Sequence, residues 1–430
     1  MAGIRRHLPA LGLLLLIALA TRLTWLSFVH PNPNDGRFDD TVWYRNAAHF
    51  VALGRGYVNP YTGTPTAAWP PGYPVFLGAV FKAFGDGLAQ AYAANVVLAM
   101  LTVAVVYGIG LLLFERRTAA LAGAAVALWP GQVFFASLAL SEVLFTLLFT
   151  LAMLLMLIVP KVRTWRGPLV IFFAAVTVAA ALTRGQALML LPLAPLAWRL
   201  CGMRWRRAIG WGILAAVVAG VLLAPWAVRN QRELGTPAII ATNVGGNLWL
   251  GNHAGSTGRM QTAQPLPLPS RAGLTQQQYE VKGDRMQLRK ALSYIVGHPA
   301  DEVRLAGLKL RALYESDATG LDWNSAYRGN FYPANWGDWL RALADGFWFA
   351  ALGFAGVGLL ADRARLRGPL AVLPLTVLMW TAVHLVFFGD SRFHYPIVFI
   401  VALFAARGVL VLYAAVLRRE PSLDRRYAAA

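Results

Sequence analysis

The segment NPNDGRFDDTVWYRNAAHFVALGRGYV sets three carboxylates, Asp35, Asp39 and Asp40, ahead of Tyr44. A carboxylate in such a place can take the proton from an attacking hydroxyl. It can equally cap a helix N-terminus or solvate a loop. A further acid, Glu142, stands in ASLALSEVLFTLLFTL at the head of a long apolar run. Acids at membrane depth are costly, and so they are usually functional or paired, although Ser141-Glu142 also reads as a plain helix start. Three arginines interrupt otherwise apolar surroundings: Arg184 in ALTRGQAL, Arg229 in APWAVRN, and Arg392 in GDSRFHYP, followed by His394 and Tyr395. A guanidinium grips phosphate oxygens in bidentate fashion and keeps its charge beside lipid. Against that stand snorkelling to headgroups and, for Arg392, a simple pair with Asp390. A phosphate site at the edge of a bilayer would suit a lipid-phosphate donor.

These residues must be positioned by membrane helices. Of 430 residues, 57% are hydrophobic and 14% charged, against about a quarter charged in a soluble domain. The uncharged stretches approach the roughly 20 residues that cross a bilayer. Ten runs are expected as spans: 8–29, 88–114, 118–138, 142–159, 167–183, 186–200, 209–228, 343–361, 369–388 and 394–417. The first carries Ala18-Leu19-Ala20, which resembles a signal-peptide cleavage site; the apolar residues continuing through Phe28 favour an uncleaved helix. Connector charges, including Arg116, Arg117, Lys161, Arg166, Arg204 to Arg207, Arg363 to Arg367 and Arg418 to Arg426, fall on one side, which is the cytoplasmic side by the positive-inside rule. Both termini are therefore expected inside the cytoplasmic membrane. Segments 30–87 and 229–342 are expected outside, with any site facing outward.

The chain thus divides into a membrane bundle with its first outer loop (1–228), an outer domain (229–342) and C-terminal membrane helices with a tail (343–430). Within the outer domain, 275–296 and 299–316 read as two helices, with Pro299 at a helix start. Val303, Ala306, Leu310 and Leu313 recur at helical spacing beside Arg304, Lys309 and Arg311. Such a basic amphipathic helix lies in the membrane interface or packs on the rest of the outer domain; the sequence favours neither.

The net charge of +19 is accounted for by the basic loops. No aromatic-interleaved basic ribbon points to nucleic acid. A single cysteine, Cys201, excludes an intrachain disulfide and a cysteine metal cluster. No G-x-G-x-x-G or Walker loop occurs, and repeats at 20–50 residues are absent. His384 and Arg407 fall inside apolar runs and receive no role.

Taken in order, DTVWY with Asp40 and Tyr44, ALGRGYV, WPPGYPVFLGAVF, LSEVLF, ALTRGQAL, PWAVRN, GGNLWLGNHAGSTG, HPADEVRLAGLKL and SRFHYP resemble the family 39 glycosyltransferases and their relatives, the protein mannosyltransferases and aminoarabinose transferases. These belong to the GT-C class of polyprenyl-phosphate-sugar-dependent enzymes. The resemblance implies an all-α polytopic fold. It implies an inverting transfer of a hexose or pentose from a polyprenyl-phosphate donor to a hydroxyl on a lipid, glycan or protein acceptor. Asp40 would be the general base, and Asp39 a second acid or, with Asp40, a ligand of a divalent ion. Glu142 would line the same cavity and contact acceptor or donor sugar. Arg392 would bind the carrier phosphate, with His394 and Tyr395 as second contacts and Tyr44, Arg184 and Arg229 completing the binding set. The pair Asp39-Asp40 departs from the Asp-Glu pair of the protein-mannosylating branch, which leaves the acceptor class and the metal requirement open. A transporter of lipid-linked sugars, which would share the arginines, and a non-catalytic membrane assembly protein are the competing readings. Only the enzyme requires Asp40, Glu142 and Arg392 to converge.

Overall fold

The computed structural model describes residues 6–29, 39–260, 264–326 and 336–419. The described residues fold almost entirely into helices. From the N-terminus these are α1 (Leu8–Phe28), α2 (Asp40–Ala52), α3 (Gly72–Phe84), α4 (Leu88–Leu113), α5 (Arg116–Leu128), α6 (Pro130–Phe134), α7 (Glu142–Ile158), α8 (Arg166–Thr183), α9 (Leu190–Leu200) and α10 (Trp205–Leu234). There follow α11 (Val244–Gly251), α12 (Gln276–Gly297), α13 (Pro299–Tyr314), α14 (Thr319–Ala326), α15 (Trp336–Ala361), α16 (Val372–Val386) and α17 (Val398–Arg419). Among the described residues the one β contact is an isolated bridge between Val58 and Pro65.

The protein is a multi-pass membrane protein. Seven described helices are long and apolar enough to cross a bilayer, and α5 with its continuation to Ser137, bent by 48°, makes an eighth. The remaining two expected spans are the 17-residue α7 and the 11-residue α9, which is preceded by a 3-10 turn over Gly185–Met189. Ile213, Val217 and Val221 of α10 are large, apolar and exposed; their i, i+4, i+8 spacing makes one lipid-facing stripe. α15 and α17 cross closely because Gly358 and Gly408 each meet a backbone carbonyl of the other helix, Phe404 and Phe354 respectively. A β-carbon at either position would force the helices apart.

The bend at Trp129–Pro130 has a specific cause. Pro130 supplies no N–H, so it breaks the carbonyl-to-amide ladder and leaves acceptors behind it unpaired. The buried Arg22 of α1 donates to the Ala127 carbonyl and, at 3.2 Å, to that of Val126. Beyond the break, Asn95 Nδ2 donates to the Leu138 carbonyl at 2.8 Å. The stretch 138–141 can therefore leave the helix and deliver Glu142 to the loop-bearing end of the bundle.

At the opposite, basic end, Arg407 acquires the partner that its sequence position did not reveal. Its Nε lies 3.1 Å from Asp362 and its Nη1 3.3 Å from Glu115, while Arg365 pairs with Asp362 at 3.0 Å.

Between α10 and α15, α12 starts with Thr275 and Gln278 forming a reciprocal capping box, and Pro299 opens α13. The helix positions follow the sequence reading, and the predicted apolar stripe of α13 is divided, with Leu313 buried and Val303 and Leu310 exposed. Leu305, Lys309 and Ala312 are also buried. The rotation is set by Lys309, whose Nζ donates to Asn252 Oδ1 at 2.6 Å and to the Leu385 carbonyl at 3.0 Å, with Glu302 at 3.7 Å. Asn252 Nδ2 in turn donates to the Val386 carbonyl at 3.0 Å. The last carbonyls of α16, which no helical amide can reach, are thus satisfied by Lys309 and Asn252. Burial pulls the Lys309 ammonium below its ordinary range, with Glu302 opposing the shift. Lys309→Met is expected to destabilise the protein by about 1–3 kcal/mol, since it leaves two buried acceptors unpaired. The measurement is thermal unfolding in detergent with limited proteolysis of 229–326; an unchanged midpoint would refute the capping role.

Candidate active site

Four elements remote in the chain meet at the loop-bearing end. Asp39 is the N-cap of α2: its Oδ1 accepts from the amides of Thr41 and Val42 at 2.9 and 3.1 Å and from the Thr41 hydroxyl at 2.7 Å. That commits Asp39 to helix initiation. Asp40, the first helical residue, points its Oδ2 at Arg392 Nη1, 3.1 Å away. Arg392 sits in the 3-10 segment Ser391–Ile397, started by the Asp390 side chain, which accepts from the Arg392 amide at 2.9 Å. The same Arg392 Nη1 stands 3.9 Å from Glu142 Oε1. Arg184, extended at the end of α8, donates to Glu142 Oε1 at 2.6 Å and to the Ser141 hydroxyl at 3.0 Å. The result is a row of alternating charge: Asp40, Arg392, Glu142, Arg184.

The charges lie at different depths. Glu142 is wholly buried, and among the described residues its Oε2 has no hydrogen-bond partner. Asp40, Tyr44, Arg184 and Arg392 line a cavity of about 890 Å³, which Glu142 does not line. The expectation that Glu142 contacts substrate directly is therefore revised: it stands one layer behind the wall and holds the two guanidiniums. Both guanidiniums lie against the Phe393 ring, Arg184 Cζ at 5.6 Å and Arg392 Cζ at 5.3 Å from its centroid. Tyr44 is buried beside them, and burial together with the Asp40 carboxylate pushes its phenol upward. It remains a neutral hydroxyl at any ordinary pH.

The cavity runs from this charged floor between the 3-10 turn before α9, represented by Leu188 and Met189, and the end of α16, represented by Val383 and Phe387. α12 closes its far side with Tyr279, Glu280 and Asp284. Burial raises the Asp284 carboxyl, with the Gly245 and Gly246 amides working against the shift. α11 can wedge between these elements because Gly251 abuts the Phe387 carbonyl, where a β-carbon would not fit.

Three expected contacts lie elsewhere. Arg229 donates to the carbonyls of Tyr57 at 2.6 Å and Thr66 at 2.7 Å and covers the Trp226 ring at 4.9 Å. It fixes the loop that carries Trp69 to the cavity. His394 is buried between the Leu313 carbonyl at 2.7 Å and Asp317 at 2.9 Å, stacked on Trp348 with centroids 4.3 Å apart. Tyr395 packs on Phe135 at 4.5 Å. Neither lines the cavity; both anchor the segment that presents Arg392. Asp35 lies outside the described residues. The sequence reading gave no role to His384, which does line the cavity.

The carboxylates do not fit a divalent cation. Asp39 Oδ1 is used by the helix start, and Asp40 and Glu142 each face a guanidinium. Among the described residues no group of three or more His, Cys, Asp or Glu could hold a metal ion. The floor suits an anion flanked by a base.

Fold and helix count together define a GT-C-like membrane bundle. The oligosaccharyltransferase of Archaeoglobus fulgidus, solved with Zn and sulfate, matches 95% of this chain at a TM-score of 0.56 and 14% identity. The same enzyme, AglB, in complex with an inhibitory peptide and a dolichol-phosphate matches 98% at a TM-score of 0.55 and 15% identity. The chain spans about half the length of that protein, 49% and 53% in the two structures. ArnT from Cupriavidus metallidurans, bound to undecaprenyl phosphate, matches 93% of this chain and 77% of its own at 18% identity and a TM-score of 0.41, too distant to carry weight. The neighbours are GT-C glycosyltransferases, and at these identities the likeness shows the fold. No family model and no curated protein sequence matches the chain.

Proposed function

We propose that this protein is a membrane glycosyltransferase that moves a sugar from a polyprenyl-phosphate carrier to a hydroxyl acceptor. The observation that carries the reading is the convergence of Asp40, Arg392, Glu142 and Arg184, with the first, second and fourth on the floor of an apolar-walled cavity. The dolichol-phosphate found with AglB supports a lipid-phosphate ligand for this fold.

The chemistry follows from the floor. A polyprenyl phosphate is already a good leaving group, so no strong general acid is required to expel it. What the transition state needs is positive charge at the departing phosphate and a base for the incoming hydroxyl. Arg392 and Arg184 supply the first, and Asp40 the second. Without ligand, Arg392 is held by Asp40; a phosphate arriving at Arg392 competes with that carboxylate and frees it to receive the acceptor proton. Direct displacement at the anomeric carbon inverts its configuration. The apolar walls accommodate the first isoprene units. With the basic connectors on the cytoplasmic side, both termini are inside and the site opens outward, beneath an outer domain over 229–342 set between membrane parts 1–228 and 343–430.

Native mass spectrometry of the gently purified protein tests the donor site. Wild type is expected to carry a polyprenyl-phosphate adduct, and Arg392→Ala to bind it roughly 10- to 100-fold more weakly, as follows from losing a charge-assisted hydrogen bond. Arg392→Lys, which keeps the charge but not the fork, is expected to fall between them. Bulk phospholipid alone on all three proteins would overturn the reading in favour of a non-catalytic assembly protein.

A further inference from the structure

His384 sits in the last turn of α16, 2% exposed, and lines the cavity. Its Nδ1 lies 2.8 Å from the Trp380 carbonyl. A carbonyl only accepts, so Nδ1 carries a proton and donates it. The other nitrogen, Nε2, is buried and has no partner among the described residues. A buried polar atom without a partner is destabilising unless something else satisfies it. The ring is held flanked by aromatics: Trp380 and Phe393 lie 4.8 Å away, centroid to centroid. Phe393 is the same ring that both Arg184 and Arg392 cover. The imidazole and the two guanidiniums therefore border one small volume.

With Nδ1 protonated, the neutral imidazole offers Nε2 as a lone pair. It accepts a hydrogen bond and cannot donate one to an ionised phosphate. Protonating it would place a third cation beside Arg184 and Arg392, in surroundings where the nearby carboxylates already serve the arginines. The chemistry wanted at Nε2 is a hydroxyl. On the reading above, the arginines hold the carrier phosphate, the sugar is joined directly to that phosphate, and the attacking acceptor hydroxyl is taken by Asp40, so the hydroxyls left for Nε2 are those of the donor sugar.

We propose that His384 Nε2 accepts a hydrogen bond from a hydroxyl of the carrier-linked sugar, which makes it a sugar-recognising residue distinct from the phosphate-binding arginines. This rests on the glycosyltransferase reading, and the test separates the two.

The test measures retention of bare undecaprenyl phosphate and of undecaprenyl phosphate bearing mannose, glucose or arabinose, by native mass spectrometry in nanodiscs. The proteins are wild type, His384→Phe, His384→Gln and Arg392→Ala. Phenylalanine fills the ring space without a nitrogen; glutamine restores an acceptor near the Nε2 position. His384→Phe is expected to bind bare carrier like wild type, and to bind the preferred sugar-charged carrier roughly three- to ten-fold more weakly, the worth of one hydrogen bond. His384→Gln is expected to recover part of the loss. If wild type retains no carrier, or Arg392→Ala retains it fully, the glycosyltransferase reading fails. If those two behave as expected but His384→Phe holds charged and bare carrier alike, or no sugar adds to wild-type retention, the sugar contact is refuted. Equal loss of both lipids in both His384 variants would also refute it, because that marks a packing role.

Discussion

Asp40→Asn is expected to lower sugar transfer by about two to four orders of magnitude, the usual contribution of a positioned general base, while leaving the carrier lipid bound. Asparagine keeps the size of the side chain but cannot take the acceptor proton. The fold should tolerate it, because the cap of α2 is made by Asp39 rather than Asp40. What α2 loses is a negative charge at its first turn, worth about 0.3–1 kcal/mol. Arg392 loses its 3.1 Å partner and becomes more available to phosphate, so retention of bare carrier should hold or rise. The measurement is release of bare polyprenyl phosphate from sugar-charged carrier in membranes containing the native acceptors, beside lipid retention by the purified variant. Asp39→Ala is the control: it removes the cap and lowers the unfolding midpoint, with transfer per folded molecule largely kept. Full turnover by Asp40→Asn would refute Asp40 as the base.

The contrast between those adjacent aspartates illustrates what the sequence could settle. The spans were legible because apolar length is a property of each run by itself: among the described residues seven of the ten expected runs coincide with a helix long enough to cross a bilayer and an eighth with a bent pair, while the other two fall on the shorter α7 and α9. The starts of α12 and α13 were legible for a similar reason, since Pro299 and the Thr275 capping box act within one turn. The resemblance alone preferred Asp40 to Asp39; the physical ground, that the helix start consumes an Asp39 oxygen, depends on backbone direction. Likewise, Arg392, His394 and Tyr395 are neighbours in the chain but meet different surroundings, because Asp317 and the Leu313 carbonyl claim the histidine. The apolar stripe on α13 could not say which face is buried, because the helix is turned by one long-range interaction, Lys309 reaching the end of α16. His384 was passed over since an intramembrane histidine usually bonds a neighbouring helix; its own turn takes one nitrogen, and only the fold reveals that the residue lines the cavity with the other left without a partner among the described residues.

The second large effect concerns Glu142, and its two substitutions should part company. Glu142→Ala removes the anion between Arg184 and Arg392, at 2.6 and 3.9 Å, and leaves two nearly buried guanidiniums without their shared counterion. Breaking a buried pair by removing one partner costs about 3–5 kcal/mol, so this variant should unfold at a markedly lower temperature or fail to accumulate. Glu142→Gln keeps an oxygen for Arg184 and a similar volume, so it should fold. In that variant the floor carries two cations and one anion, and an incoming phosphate no longer competes with Glu142 for the guanidiniums. Bare carrier should therefore bind more tightly in Glu142→Gln than in wild type, and turnover should slow because the departing polyprenyl phosphate is the product that must leave. Retention of bare carrier and single-turnover against steady-state transfer measure the two effects separately. A Glu142 that touched the sugar or the acceptor would behave differently: the glutamine variant would slow the first turnover as much as later ones, and its hold on bare carrier would not change. The burial of Glu142 and its place behind the cavity wall favour tighter carrier binding with a preserved first turnover, which would make this acid the element that sets how firmly the arginines hold phosphate.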